Sequence, residues 1–137
     1  MPDLPTNAAF KTALESMTVT SVVVHKGYPP ASIQPSDLPL AFLELPSSDL
    51  GEYVVSCMLN NKSRTMRYIV CLEASGLGTQ EQNYDLIAPA MDNLETALDT
   101  ALSTLANFYT YDMSTGTYTV GGTDYWAIIT TVSVRSV

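Results

Sequence analysis

The stretch from Asn83 to Tyr109 (NYDLIAPAMDNLETALDTALSTLANFY) carries the longest single period in the chain. Ile87, Met91, Leu94, Leu98, Leu102 and Leu105 recur there at spacings of three and four, which gathers them into one stripe along a helix. A stripe of that length has to be buried, so the rest of the chain must supply a layer to cover it. Ala90, Ala97, Ala101 and Ala106 flank the stripe as small, strongly helix-forming residues. Asn83 or Asp85 can cap the first free amides, and Pro89 fits best in a first turn, where amides lack intrahelical partners. The spacing therefore predicts a helix starting near Asp85. Asp92, Glu95 and Asp99 share its opposite face with no lysine or arginine three or four positions away. That acidic face is predicted to lie away from the covering layer, in solvent or against a basic partner surface.

The covering layer reads as β. Residues Thr6 to Met17 first make a short amphipathic helix, with Phe10, Ala13, Leu14 and Met17 on one side and Thr6 or Asn7 as its cap. Thr18 to His25 (TVTSVVVH) is then rich in β-branched residues, as a strand would be. From Lys26 to Pro39, Gly27, Pro29, Pro30, Pro35 and Pro39 rule out a central strand or a helix interior. This is an extended loop whose Tyr28, Pro29 and Pro30 are candidates for contacts. Leu40 to Leu45 alternates as a second strand. Tyr53 to Leu59 and Met66 to Glu73 follow as a hairpin joined by Asn60-Asn61-Lys62-Ser63. After the long helix, Thr110 to Val120 and Thr123 to Val134 flank Gly121-Gly122, a pair able to supply the positive φ angles of a two-residue turn. The expected fold is α+β: one domain over residues 1–137, a mostly antiparallel β-sheet with one long and one short helix packed on one face.

Lys62, Arg64 and Arg67 place half of the six basic residues in a six-residue window, expected at the tip of the first hairpin. A solvated tip and a docking loop for an acidic surface both fit. The chain carries 14 acidic against 6 basic side chains, a net charge of −8, which argues against general nucleic-acid binding. Only 15% of residues are charged while 46% are hydrophobic, a balance suggesting that partners cover part of the surface. The tyrosines Tyr109, Tyr111, Tyr118 and Tyr125, with Trp126, read as cross-strand aromatic pairs, since only Arg135 lies near enough in sequence to support base stacking.

Catalysis has little to work with. His25 is the only histidine, set at a strand end. Cys57 and Cys71 sit in apolar strand-like runs and read as buried thiols, a bridge between neighbouring strands being the other arrangement. No phosphate-cradling loop, calcium loop, dinucleotide fingerprint or HExxH occurs. The sequence therefore predicts no enzyme, no cofactor and no metal. No run approaches the length of a membrane span, and the first residues lack the basic and apolar regions of a signal peptide, so a cytosolic site of synthesis is expected.

Several segments taken together carry a resemblance: the short first helix and strand, the Pro-rich segment Tyr28 to Pro46 (YPPASIQPSDLPLAFLELP), the hairpin ending RYIVCLEA, the helix PAMDNLETALDTALSTL, and the terminal GGTDYWAIITTVSV. In order and length these elements resemble the small tail terminator and tail-completion proteins of long-tailed bacteriophages, the lambda-type terminators. The resemblance implies a structural virion protein of the tail or neck, assembled in the host cytoplasm. It implies a homo-oligomeric ring, commonly a hexamer, that caps the tail tube, stops its polymerisation and joins it to the head-side connector. DNA would pass through the lumen without specific binding; six copies at −8 each would carry −48, repelling rather than trapping it. A head-closure or neck protein is the nearest alternative. A cytosolic binding module with its pocket under the Pro-rich segment is another. A long edge strand at the C-terminus would suit ring assembly.

Overall fold

The computed structural model describes residues 6–20, 22–44, 54–58, 61–74, 76, 80–105 and 108–135. The elements run α1 (Asn7–Glu15), β1 (Val24–Lys26), a 3-10 turn (Pro35–Asp37), β2 (Leu40–Leu43), β3 (Val54–Met58), β4 (Asn61–Ala74), α2 (Gln80–Leu105), β5 (Phe108–Val120) and β6 (Thr123–Arg135). Six strands form one sheet in the order β1-β2-β4-β6-β5, with β3 also on β4, and every pairing except β1 with β2 is antiparallel. This is the α+β architecture expected from the sequence.

β4 organises the sheet. One of its edges meets β6 from Ser63 to Ala74. Its other edge is shared end to end: β2 pairs with Tyr68–Cys71 and β3 with Asn61–Thr65. Opposed residues share a face in an antiparallel ladder. Ala41, Leu43, Met66, Tyr68, Val70, Ile128, Val132 and Val134 thus face the helices and form the larger core with Phe10 and Leu14 of α1 and Leu94, Leu98 and Leu102 of α2. Of the predicted stripe, Leu94, Leu98 and Leu102 are buried, and Ile87, Met91 and Leu105 are half-buried against this core. Burial of each such leucine contributes on the order of 2 kcal/mol. The other face carries Leu40, Phe42, Ile69, Cys71, Tyr125 and Ala127 and is covered by Ile33 and Leu38 of the Pro-rich segment.

α1 begins as predicted, the Thr6 hydroxyl accepting from the Ala9 amide at 3.1 Å. α2 departs from expectation. It begins at Gln80 rather than near Asp85, so Pro89 lies inside the helix instead of in its first turn. Pro89 is exposed, and residues 84–94 already lay Leu86, Ile87, Ala90, Met91 and Leu94 against the core. Packing of one face outweighs the lost backbone bond at Pro89. The first strand is also shorter than its β-branched run, since only Val24–Lys26 reach β2. The C-terminal strand β6 is interior, between β4 and β5; the long edge strand is β5.

Gly121 and Gly122 have φ of 59° and 82°, the left-handed values a two-residue turn needs. A Cβ on Gly121 would stand 2.7 Å from the Ala31 carbonyl oxygen. The turn between β5 and β6 is therefore pressed against the Pro-rich segment, which places that segment over one end of the sheet.

Candidate interaction surfaces

The basic window does not form a hairpin tip. Met58 pairs with Asn61, so the connection falls at residues 59 and 60, and Asn61, Lys62 and Ser63 are already strand. Lys62 stands opposite Cys57, and Arg64 lies between Val55 and Val134. Arg67 is three residues further in, on the opposite face of the sheet from Arg64 by strand alternation. Its Nη1 donates to Glu44 Oε2 at 3.0 Å, where the Glu44 side chain is 0% exposed and that of Arg67 29%. Arg67 is thus committed within the chain and is withdrawn as a docking residue. Burial pushes the Glu44 carboxyl above its ordinary value, and the Tyr118 hydroxyl and the Arg67 charge pull it partly back. The sequence held a hint of the pair: an acid at the end of the buried run LAFLE needs a cation beside it.

Tyr28 is 56% exposed, with the Lys26 ammonium 5.7 Å from its ring centroid. Pro29 and Pro30 are half-buried. The segment then turns inward and roofs a cavity of about 590 Å³ lined chiefly by Ile33, Leu38, Leu72, Leu86 and Tyr125. The Tyr125 hydroxyl donates to the Ile33 carbonyl at 3.4 Å, tying the roof to the sheet. Among the described residues Glu73 is the one charged residue in the lining. It follows a bulge in β4, where the register with β6 shifts between Cys71 and Glu73. Apolar walls with one carboxylate suit a ligand having an apolar body and a cationic end.

Asp92 and Glu95 are exposed on α2, as expected of the acidic face. Asp99 is exposed as well, but it reaches the edge strand of the sheet. Its Oδ1 accepts from the Tyr111 hydroxyl at 2.9 Å and from Tyr109 at 3.4 Å, both on β5. The short passage from α2 into β5 brings the helix end alongside the strand start, which helical periodicity alone does not reveal. Burial, followed by the Asp99 carboxylate, pushes the Tyr111 phenol up to about 12. A groove of about 550 Å³ separates α1 from α2, but the hydroxyls of Thr96, Thr100 and Thr104 along it donate back to helix carbonyls at 3.0–3.2 Å.

His25 lies in the short strand β1, half-buried, with its ring edge-on to Tyr68 at 5.3 Å, and burial lowers its pKa. Cys71 is a buried free thiol, so no bridge joins it to Cys57. Among the described residues no group of three His, Cys, Asp or Glu is placed to hold a metal ion, and no helix is long and apolar enough to cross a membrane.

The outer edge of β5 is the longest open hydrogen-bonding edge among the described residues. Its thirteen residues (FYTYDMSTGTYTV) include one charge, Asp112, and neither lysine nor proline. No protein-family model matches the chain, and no curated protein matches it in sequence.

Proposed function

We propose that the chain is a virion structural protein, a tail terminator whose copies assemble into a ring that caps the tail tube and joins it to the head-side connector. The observation that carries this reading is the open edge of β5. Natural sheets blunt a free edge with lysine, proline, a bulge or a covering element, and β5 has thirteen residues with one acidic side chain instead. Such an edge calls for a neighbour. Head-to-tail contacts between identical copies close into a ring where the rotation between them closes, and the resemblance in element order supports a ring of the terminator kind. The net charge of −8 per copy suits a lumen through which DNA slides.

The test is addition of the purified chain to polymerising tail-tube protein. A terminator shortens the tubes and is found at one end of each by labelled electron microscopy. A chain that ignores tube ends but binds the connector belongs with head-closure and neck proteins. The cavity under Ile33 and Leu38 favours a second reading, a binding module. A strict monomer, inert toward tubes, with a melting point raised by small amphiphilic cations would select it.

A further inference from the structure

We propose that the groove between α1 and α2 is a docking site for a helix of another protein, one with a stripe of small apolar side chains and lysines or arginines along one flank. The described lining comes from α1, α2 and the segment after α1, and none of it from β5. Docking here and assembly through the β5 edge are therefore separate properties of the chain.

The walls suit a helix. Ala13 of α1 and Ala97 and Ala101 of α2 leave open a channel of about 550 Å³, and side chains this small let helix axes approach to about 8 Å. The α2 wall runs from Asn93 to Thr104, three turns or about 16 Å. At one end the Asn93 Nδ2 donates to the Thr20 carbonyl at 3.4 Å, tying α2 to the segment after α1. Thr96, Thr100 and Thr104 make the exposed α2 rim at four-residue spacing. Threonine is a weaker helix former than alanine, lysine or glutamate, so three of them along exposed turns do not serve the helix itself. Their hydroxyls donate to the carbonyls of Asp92, Thr96 and Ala101, which leaves the γ-methyls to meet a neighbour. A helix laid on this rim leaves those donors satisfied, so covering it strands none of them.

Charge selects the occupant. Asp92 and Asp99 stand one turn to either side of Thr96, and Glu95 lies beyond them, all three exposed. Asp99 is held by Tyr109 and Tyr111, but among the described residues Asp92 and Glu95 form no ion pair. Lys11 and Arg67 are engaged with Glu15 and Glu44, and Lys26 lies over Tyr28. On the α1 side the exposed residues Ala9, Thr12 and Ser16 are uncharged. The groove thus has one acidic rim and one neutral rim, which matches a helix whose cations follow a single flank. A second copy does not fit: it brings another −8, and the apolar faces of its own two helices are buried in its core.

The test is fluorescence anisotropy of the full chain with two labelled synthetic helical peptides. Both carry an alanine–leucine stripe, one with lysines along one flank and the other with glutamates at the same positions. Thr100→Trp fills the groove without changing the charge, with Thr96→Phe as a second filling variant. Asp92→Lys combined with Glu95→Lys reverses the rim and leaves the groove open. Each variant is first checked for an unchanged far-ultraviolet circular dichroism spectrum and melting point. The expected result is binding of the lysine peptide to the wild type, with at least tenfold weaker binding of the glutamate peptide and at least tenfold loss in every variant. Loss in the charge variant alone, with both filling variants binding as the wild type does, reduces the contact to adsorption on the acidic rim and overturns the proposal. Failure of the lysine peptide to bind the wild type overturns it as well. Self-association of the wild type that Thr100→Trp abolishes assigns the groove to a second copy, again overturning it, whereas assembly through β5 is untouched by that variant.

Discussion

Glu44 and Arg67 illustrate how a single buried pair constrains this fold. Arg67→Met leaves the Glu44 carboxylate in an apolar layer without its cation. Because Arg67 keeps some solvent exposure, the expected loss is about 2–3 kcal/mol in urea unfolding, below the value for a fully enclosed pair. Glu44→Leu with Arg67→Met removes both charges and is expected to return to within about 1 kcal/mol of the wild type. A double variant as unstable as the single one would refute the buried-charge account. The pH dependence has a definite sign. Burial raises the Glu44 pKa above its ordinary 4.5, so between that value and the raised one the folded chain holds a proton the unfolded chain has released. Stability from this group is full below the window and declines as pH rises through it. Melting points of Glu44→Gln relative to wild type are therefore expected to increase from pH 4 to 7.

Among the elements, α2 and β5 give the sharpest tests. Proline in a helix interior costs about 3 kcal/mol relative to alanine, so a gain of about 2–3 kcal/mol is expected from Pro89→Ala, read from the urea midpoint. An unchanged midpoint would place the helix start at Pro89 itself. Thr110 is exposed on β5, and Thr110→Lys should leave the melting point nearly unchanged while weakening self-association at least tenfold in sedimentation. The legibility of these elements follows from the range of their causes. The stripe from Ile87 to Leu105, the Thr6 cap and the Gly121-Gly122 turn depend on neighbours within a few residues, and the sequence displays them. The basic window was misplaced because one pairing, Met58 with Asn61, decides whether Lys62 belongs to turn or strand. The Glu44–Arg67 bridge spans 23 residues. The cavity draws on the Pro-rich segment, β4, α2 and β6, so no local pattern marks it. Helical periodicity places Asp99 on the acidic face of α2 but carries no information about where β5 begins.

At the scale of the whole molecule, the two faces of the sheet are unequally clad. Two helices cover one and the Pro-rich segment the other, while β4 is paired along both edges for most of its length. No partial loosening at a margin of the sheet frees β4. Its amides are expected to exchange with deuterium only when the entire chain opens, whereas those of the three-residue β1 exchange early. Cys71 lies on β4, fully buried, its thiol pushed up to about 12 by burial, and thiolate is the form that alkylating reagents attack. In a Cys57→Ser background it is the sole thiol, so its labelling by iodoacetamide becomes a clock for global opening. Labelling should be suppressed by the same factor as the unfolded fraction extrapolated from urea. Faster labelling with a shallow dependence on urea would reveal a route into the sheet that bypasses unfolding.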